Sequence, residues 1–149
     1  MKHQETVDAF FKAYGEHDIK AIKKVMDEHV KWYFMGNHPL AGIKNGVDEV
    51  VDFFDQMGKI MATSKPTIEK PIVAENKDYL VECVHTQTNN PDDINIDHMA
   101  CVLWTFRNDK IIEGRHFFGD PERVSKYFTA MAEKHGLSTV MVLLFYRQK

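Results

Sequence analysis

Residues 97–120 read DHMACVLWTFRNDKIIEGRHFFGD. β-Branched, aromatic and apolar residues predominate in 97–106 and in 110–118, and this composition is typical of strands. The polar pair Asn108-Asp109 between them favours a two-residue turn. The stretch therefore predicts an antiparallel hairpin.

The turn length sorts the side chains of this hairpin onto two faces. With a two-residue turn, Cys101 lies opposite His116, and Asp97 lies opposite Asp120. A turn one residue longer would change this sorting. The face of His116 is the better candidate for chemistry, because it also holds a thiol and a carboxylate. It carries Asp97, Met99, Cys101, Leu103, Gly114, His116 and Phe118, and the other face carries His98, Val102, Trp104, Phe106, Ile111, Glu113, Arg115 and Phe117.

The composition is that of a single globular domain. The chain has 149 residues, of which 44% are hydrophobic and 28% charged, so it can bury a substantial core. A net charge of −3 gives no electrostatic footprint for nucleic acid. The first residues lack the pattern of a secretion signal, and no apolar run reaches the roughly 20 residues that span a bilayer. We therefore expect a cytoplasmic protein that binds neither nucleic acid nor membranes.

Cys83 and Cys101 are the only two cysteines of the sequence. Two cysteines do not indicate a disulfide framework, and neither lies in a metal-ligand spacing such as CxxC. We expect free thiols that pack as small hydrophobic groups.

Four stretches show the apolar spacing of amphipathic helices. Asp18 is suited to cap the second helix, and Asp120-Pro121 is suited to open the fourth. Gly15 and Gly136 are expected to end the first and the fourth. The apolar positions of the four helices are Val7, Phe10, Phe11 and Tyr14; Ile19, Ile22, Val25 and Met26; Val47, Val50, Val51, Phe54 and Met57; and Val124, Tyr127, Phe128 and Met131.

Three further strands are predicted, over residues 30–35, 67–75 and 79–88. Pro71 makes the second of these an edge strand or a bulged one. The apolar tail from Leu137 to Tyr146 fits either a strand or a helix. Helices followed by antiparallel strands predict an α+β fold, in which the helices pack on one face of a curved sheet and form a cone.

Two segments of the chain resemble the SnoaL-like branch of the nuclear transport factor two-like superfamily. They are residues 32–42, WYFMGNHPLAG, with the helix that follows, and residues 110–120, KIIEGRHFFGD, with the helix after them. The resemblance implies a cone-shaped α+β barrel, often a homodimer, with a pocket for a small hydrophobic ligand between N-terminal helices and a curved antiparallel sheet. We expect the SnoaL-like domain to cover residues 3–135, followed by a C-terminal apolar extension over 136–149.

The superfamily includes ketosteroid isomerase, limonene epoxide hydrolase, polyketide cyclases, scytalone dehydratase and non-catalytic binding modules, so the fold leaves the function open. The resemblance places His116 where several of the enzymes have a catalytic carboxylate. It also implies that the base of a ketosteroid isomerase would be an aspartate soon after the first strand. This chain has Asn37 and His38 there, and a steroid isomerase is therefore not supported.

His116 is the first candidate for catalysis, since an imidazole ordinarily titrates near neutral pH and can act as acid or base. Asp97 on the same face can favour its protonated form, although about 13 Å of strand separates the two residues. Tyr14, at the end of the first helix, can direct its hydroxyl at a developing oxyanion. Each residue also has a structural interpretation, as a hydrogen-bonded core histidine or a core aromatic, and Asp120 as a helix cap.

A second strand pairing supplies further lining residues. If strand 79–88 pairs with the hairpin so that Cys83 faces Cys101, then His85 and Gln87 lie on the face of His116, in a mostly apolar cavity. Metal binding by His85 and His116 would need a third ligand, and no such ligand stands out. The expected substrate-binding residues are Trp32, His38, His85, Gln87, Met99, Cys101 and Phe118.

These residues favour a small-molecule pocket protein with His116 as acid or base. Isomerisation, dehydration or cyclisation of a hydrophobic, carbonyl-bearing substrate would fit, and no cofactor is required, because no phosphate-cradling, flavin or nicotinamide motif is present. The alternative is a non-catalytic ligand-binding or dimerisation module. In that case Trp104, Phe106 and Phe117 on the outer face of the sheet would contact a second subunit of a homodimer.

Overall fold

Helices and strands follow one another in the order that the sequence predicts, with one additional strand. The computed structural model describes residues 1–91 and 94–136. The tail 137–146 lies outside the described residues. The elements are α1 (Lys2–Gly15), α2 (Ile19–Val25), β1 (Met26–Phe34), β2 (Gly42–Asn45), α3 (Gly46–Thr63), β3 (Thr67–Glu75), β4 (Tyr79–Gln87), β5 (Asp97–Arg107), β6 (Lys110–Phe118) and α4 (Pro121–Lys134).

The six strands form one sheet in the order β2-β1-β6-β5-β4-β3. All neighbours are antiparallel except β1 and β6, which run parallel. The predicted antiparallel sheet therefore contains one parallel pair. Parallel neighbours need a long crossover connection, and here the whole of β2 to β5 separates them in sequence.

Helices cover one face of the sheet, which we call the inner face. Phe10 of α1 and Phe54 of α3 contact the two tryptophans of the sheet, Trp104 and Trp32 respectively. Phe128 of α4 contacts Phe34 of β1. This face supplies most of the hydrophobic core, which confirms the α+β fold. No described helix is long and apolar enough to cross a membrane.

The local signals for helix starts are confirmed. Asp18 accepts a hydrogen bond from the Ala21 amide at 3.0 Å, and Asp120 accepts one from the Arg123 amide at 3.0 Å. Pro121 takes the first turn of α4, where its missing N–H costs nothing. Pro71 lies in β3, which is an edge strand. The register of β3 also shifts between Glu69 and Ile72, so the strand is both an edge strand and a bulged one.

The hairpin register differs from the prediction by one residue. Asn108 and Asp109 form the expected two-residue turn, with φ of 51° and 60°, and Phe106 lies opposite Ile111. The register then shifts, so that His116 lies opposite Val102 and not opposite Cys101. The shift is a β-bulge, which adds one residue to one strand and turns every later side chain to the other face.

Consequently the predicted sorting is wrong for half of the hairpin. His116, Gly114 and Phe118 lie on the inner face with Trp104 and Phe106, since Trp104 lies opposite Gly114. Four residues that were expected beside His116 lie on the opposite, outer face: Asp97, Met99, Cys101 and Leu103. Three residues that were expected beside Trp104 also lie on the outer face: Glu113, Arg115 and Phe117.

The pairing of β4 with β5 agrees with the prediction. Cys83 lies opposite Cys101, His85 opposite Met99, and Gln87 opposite Asp97. Because Cys101 is on the outer face, all of these residues are on the outer face too. The expectation that they share a face with His116 is therefore wrong.

Candidate functional site

Burial along the inner face decreases from one end of the sheet to the other. Leu80, Trp104 and Ile111, near the hairpin turn, are almost fully buried. Thr86 and Phe118, on the same face at the far end of β4 and β6, remain partly exposed. The inner face is therefore less deeply buried at the end of the cone that lies away from the hairpin turn.

His116 lies on the inner face near this less buried end. Its ring contacts those of Phe34, Trp32, Phe118 and Phe53, with centroid distances of 4.9, 5.6, 5.9 and 6.3 Å. Nε2 is buried and has no hydrogen-bond partner among the described residues. Burial lowers the pKa of His116 to about 3, because the apolar surroundings penalise the charged form. At neutral pH the imidazole is therefore uncharged.

His38 is a second histidine that contacts Phe34. The loop after β1 brings its ring to 5.4 Å from Phe34 and 5.2 Å from Phe128 of α4. Both ring nitrogens are buried without a hydrogen-bond partner in the described part of the chain. Burial, and secondarily the charge of Lys44, lowers the pKa of His38 to about 4.

His98 completes the group of imidazoles. The ring of Phe118 lies between His98 and His116, at 5.8 Å from the first and 5.9 Å from the second. Nδ1 of His98 is buried, with no partner within residues 1–91 and 94–136. Burial lowers the pKa of this histidine as well. The predicted hairpin register placed His98 and His116 on opposite faces, so His98 was not among the predicted site residues.

We call His38, His98 and His116 the imidazole cluster. Nε1 of Trp32, next to His116, is also buried without a partner among the described residues. Buried polar groups in native proteins are almost always hydrogen-bonded. Several unpaired ring nitrogens around Phe34 and Phe118 therefore make this region the candidate functional site.

Lys44 of β2 adds a positive charge to this region. Only 3% of the residue is exposed. Its ammonium donates hydrogen bonds to the carbonyls of Leu40 at 2.8 Å and Ala41 at 3.3 Å, and lies 5.7 Å from the ring centroid of Phe53. Burial lowers the pKa of Lys44 to about 8, so the side chain is still mostly charged at pH 7. Sequence analysis missed this residue, because β2 is too short to show a period of two.

Glu82 is a second buried charge on the inner face, but it is fully paired. One carboxylate oxygen accepts a hydrogen bond from Lys70 at 2.9 Å, and the other accepts one from Nε1 of Trp104 at 3.2 Å. Paired in this way, the carboxylate holds β3, β4 and β5 together near the more deeply buried end of the cone. This arrangement is typical of a structural ion pair.

The remaining predicted site residues lie away from the imidazole cluster. The Tyr14 hydroxyl donates to Asp55 of α3 at 2.8 Å, and burial together with that bond raises its pKa to about 12. Asp97 contacts Nε2 of His85 at 2.6 Å on the outer face. The structure therefore brings together His116, Trp32, His38 and Phe118 from the predicted set; it leaves apart Tyr14, His85, Gln87, Asp97, Met99 and Cys101.

Residues 7–114 match the family model of the SnoaL-like domain. No curated protein sequence matches the chain significantly. Among solved structures, Bal32a from a soil-derived mobile gene cassette is similar with a TM-score of 0.70 and 20% identity, over 85% of this chain and 96% of Bal32a.

Two further solved structures have similar folds. An NTF2-like protein of unknown function from Burkholderia pseudomallei gives a TM-score of 0.65 and 17% identity, over 85% of this chain and 98% of that one. TerC, co-crystallised with polyporic acid, gives a TM-score of 0.64 and 16% identity, over 85% and 98%. At these identities the likeness shows a shared fold.

Proposed function

The chain belongs to the family of SnoaL-like domains, and on that premise we propose that it is a small-molecule pocket protein in which His116 binds, and acts on, a hydrophobic carbonyl compound. The observation that carries this proposal is the unpaired, buried Nε2 of His116 among four aromatic rings. Apolar walls with a few convergent polar groups are the usual composition of a small-molecule site.

The neutral state of His116 narrows its chemical role. Because the pKa of His116 is about 3, its imidazole is not protonated at pH 7. It therefore does not serve as a cationic general acid. A neutral imidazole can instead donate a hydrogen bond to a carbonyl oxygen from one ring nitrogen, or accept a hydrogen bond at the other. This corrects the initial interpretation, in which Asp97 would favour the protonated form.

Charge that develops on the carbonyl oxygen has one further source of stabilisation. The ammonium of Lys44 and the ring of His116 both flank Phe53, so a buried cation lies on the same side of the sheet as the imidazole. In a site of low dielectric constant, a fixed positive charge favours an enolate-like intermediate. Isomerisation, dehydration and cyclisation of carbonyl compounds pass through such intermediates when they begin with removal of the proton next to the carbonyl. The ligand of TerC, polyporic acid, supports an organic ligand in a fold of this kind.

Replacement of His116 by phenylalanine is expected to weaken ligand binding at least tenfold. Phenylalanine keeps a planar aromatic ring but removes Nε2, and one hydrogen bond in an apolar site contributes about 1.4 kcal/mol. The measurement is a thermal-shift screen of aromatic and alicyclic ketones and quinones with the wild-type protein, followed by titration of each hit against the variant. His85→Gln on the outer face is the matched control and should bind like the wild type.

Two outcomes contradict this proposal. In the first, no compound of the screen raises the melting temperature of the wild-type protein. In the second, a hit binds the folded His116→Phe variant with unchanged affinity, which would mean that the imidazole does not contact the ligand.

A second candidate function is dimerisation through the outer face of the sheet, which an apolar surface there favours. Phe117 is 54% exposed, Ile72 is 56% exposed and Met99 is 45% exposed. Large contiguous apolar patches on a protein surface are typical of association sites. Trp104 and Phe106, which were expected on this face, are buried on the inner face, so Phe117 is the aromatic residue of the predicted set that can contact a partner.

The dimer is tested by Phe117→Asp. We expect the wild-type protein to sediment at about twice the chain mass of 17.3 kDa at micromolar concentration, and the variant to sediment as a monomer, because a carboxylate in an apolar interface is left unpaired. Ile19→Asp, which changes an exposed apolar residue of α2, should remain dimeric. A monomeric wild-type protein contradicts the proposal.

A further inference from the structure

The two cysteines meet at one point of the outer face. Cys83 of β4 and Cys101 of β5 are directly opposed in the antiparallel register, and their sulfur atoms are 3.5 Å apart. Both residues are half-buried and both thiols are free. Sequence analysis treated them as small core hydrophobes, but they lie on the face of the sheet that the helices leave uncovered.

The backbone geometry at this pair suits a disulfide bond. Directly opposed residues of antiparallel strands have Cα atoms roughly 4.5 or 5.5 Å apart, and disulfides span Cα distances of about 4.4 to 6.8 Å. The sulfur atoms have to approach from 3.5 Å to about 2.05 Å. Small rotations about the two Cα–Cβ bonds, with a slight approach of the strands, are enough to close this gap.

The same geometry makes such a bond reversible. Opposed side chains of a sheet hold their Cβ atoms about 4.5 to 5.5 Å apart, whereas a relaxed disulfide prefers about 3.8 Å. Closure therefore draws β4 and β5 together and stores strain, and strained or exposed disulfides are the ones that are readily reduced. In the reduced pair, the hydrogen bond to Cys83 raises the pKa of Cys101, which stabilises the thiol form.

We propose that Cys83 and Cys101 are a modification site, at which a low-molecular-weight disulfide oxidises the pair to an intramolecular cross-strand disulfide. One cysteine thiolate attacks a sulfur atom of the reagent and expels one reagent thiolate, which takes up a proton. The second cysteine thiolate then attacks the protein sulfur of this mixed disulfide and expels the second reagent thiolate. The protein dithiol loses two electrons and two protons, and the reagent disulfide gains them as two thiols.

This site is independent of the imidazole cluster. The sulfur atoms lie on the outer face, and the ligand site lies on the inner face of the same strands. His85, the neighbouring titratable residue on the outer side of β4, contacts Asp97 at 2.6 Å, so the dithiol is flanked by a paired imidazole and not by a free base. The proposal therefore stands or fails separately from the ligand site. A dimer through the outer face would cover the thiols, because Phe117 lies opposite Cys101 and Ile72 lies opposite Cys83, so the test is run on the wild-type protein and on the Phe117→Asp variant.

The test is incubation of the purified full chain with excess oxidised glutathione under native conditions. We expect the intact mass to fall by two hydrogen atoms, both thiols to become unreactive, and a proteolytic digest to give one cross-linked peptide pair containing residues 83 and 101. Dithiothreitol should restore both thiols. Cys83→Ser and Cys101→Ser are the matched controls, and each should stop at a single glutathione adduct.

Three results would overturn the proposal. They are two glutathione adducts on one wild-type chain, disulfide-linked dimers on a non-reducing gel, and thiols that react with glutathione only after denaturation in both the wild type and Phe117→Asp. The first result means that the sulfurs do not meet, the second that they pair between chains, and the third that the outer face does not admit the reagent.

Discussion

Gly114→Ala is expected to destabilise the protein by about 3 kcal/mol, which is near the upper end for one added methyl group. A Cβ atom at position 114 would lie 2.1 Å from Cζ3 and 2.2 Å from Cε3 of Trp32. These distances are far inside van der Waals contact, so the indole must move or the strands must separate. Urea denaturation of the wild type and the variant measures the difference.

Trp32 has little freedom to move away. Its ring is fully buried and contacts the rings of Trp104 at 4.9 Å, Phe54 at 5.2 Å and His116 at 5.6 Å. Protein interiors are packed as densely as organic crystals, so displacement of one indole spreads to its neighbours. The strain is therefore steric and begins where Trp32 of β1 lies beside Gly114 of β6.

Gly15→Ala is the matched control for this prediction. Gly15 ends α1, and a Cβ atom there would meet nothing within 4 Å. Since alanine favours the helix over glycine by up to about 1 kcal/mol, the control should be neutral or slightly stabilising. A second check is Trp32→Phe combined with Gly114→Ala, whose destabilisation should be smaller than the sum of the two single changes. Equal losses for Gly114→Ala and Gly15→Ala would show that the steric account is wrong.

The sequence predicts the elements that carry a long, regular signal. Helix α3 repeats its apolar residues over five turns, and α4 begins with an aspartate cap and a proline, so both could be read without any tertiary information. β2 could not, because four residues are too few to establish a period. Its pairing with β1 is decided by tertiary contacts and carries Lys44 into the interior.

The bulge in β6 is the second feature that sequence cannot reveal. Ile112 is an ordinary strand residue, and nothing in its neighbourhood distinguishes a regular strand from a bulged one. Yet this single extra residue turns His116 to the inner face and leaves Cys101 and Asp97 on the outer face. A one-residue shift changes every later face assignment, which explains why the predicted site mixed residues from both sides of the sheet.

His116 nevertheless lies on the inner face, and the resemblance to SnoaL-like proteins pointed to this residue independently of the hairpin register. Of its neighbours, Trp32, His38 and Phe118 were among the predicted site residues, whereas His98 and Lys44 were not. His98 was assigned to the wrong side relative to His116, and the role of His38 depends on a loop whose path no periodic pattern describes. Chemistry-bearing loops are positioned by the scaffold, so their side-chain contacts emerge only from the folded structure.

The apolar surroundings of His116 are also expected to make folding stability depend on pH. The pKa of this residue falls from 6.5 in the unfolded chain to about 3 in the folded one. Between these values the unfolded state binds one more proton than the folded state, and stability therefore rises with pH. The contribution of the neutral ring is complete above pH 6.5 and is lost progressively as the pH falls towards 3.

From pH 7.5 to pH 5 this single group should cost the wild-type protein about 2 kcal/mol of unfolding free energy. His116→Phe has no proton to bind at that position, so the difference in stability between wild type and variant should shift by the same amount over this range. Urea denaturation at pH 7.5, 6 and 5 measures it, with His116→Gln as a second variant in case phenylalanine perturbs the core.

His29→Gln is the control for the loss of one histidine at an exposed position, since the His29 side chain is 87% exposed. It should keep the pH dependence of the wild type, whereas both His116 variants lose part of it. His38, whose pKa is lowered to about 4, adds a further dependence of the same sign that remains in every variant. Parallel stability curves for the wild type and His116→Phe would show that the ring is solvated in the folded state, and the case for a desolvated, neutral imidazole that binds a carbonyl oxygen would then fail.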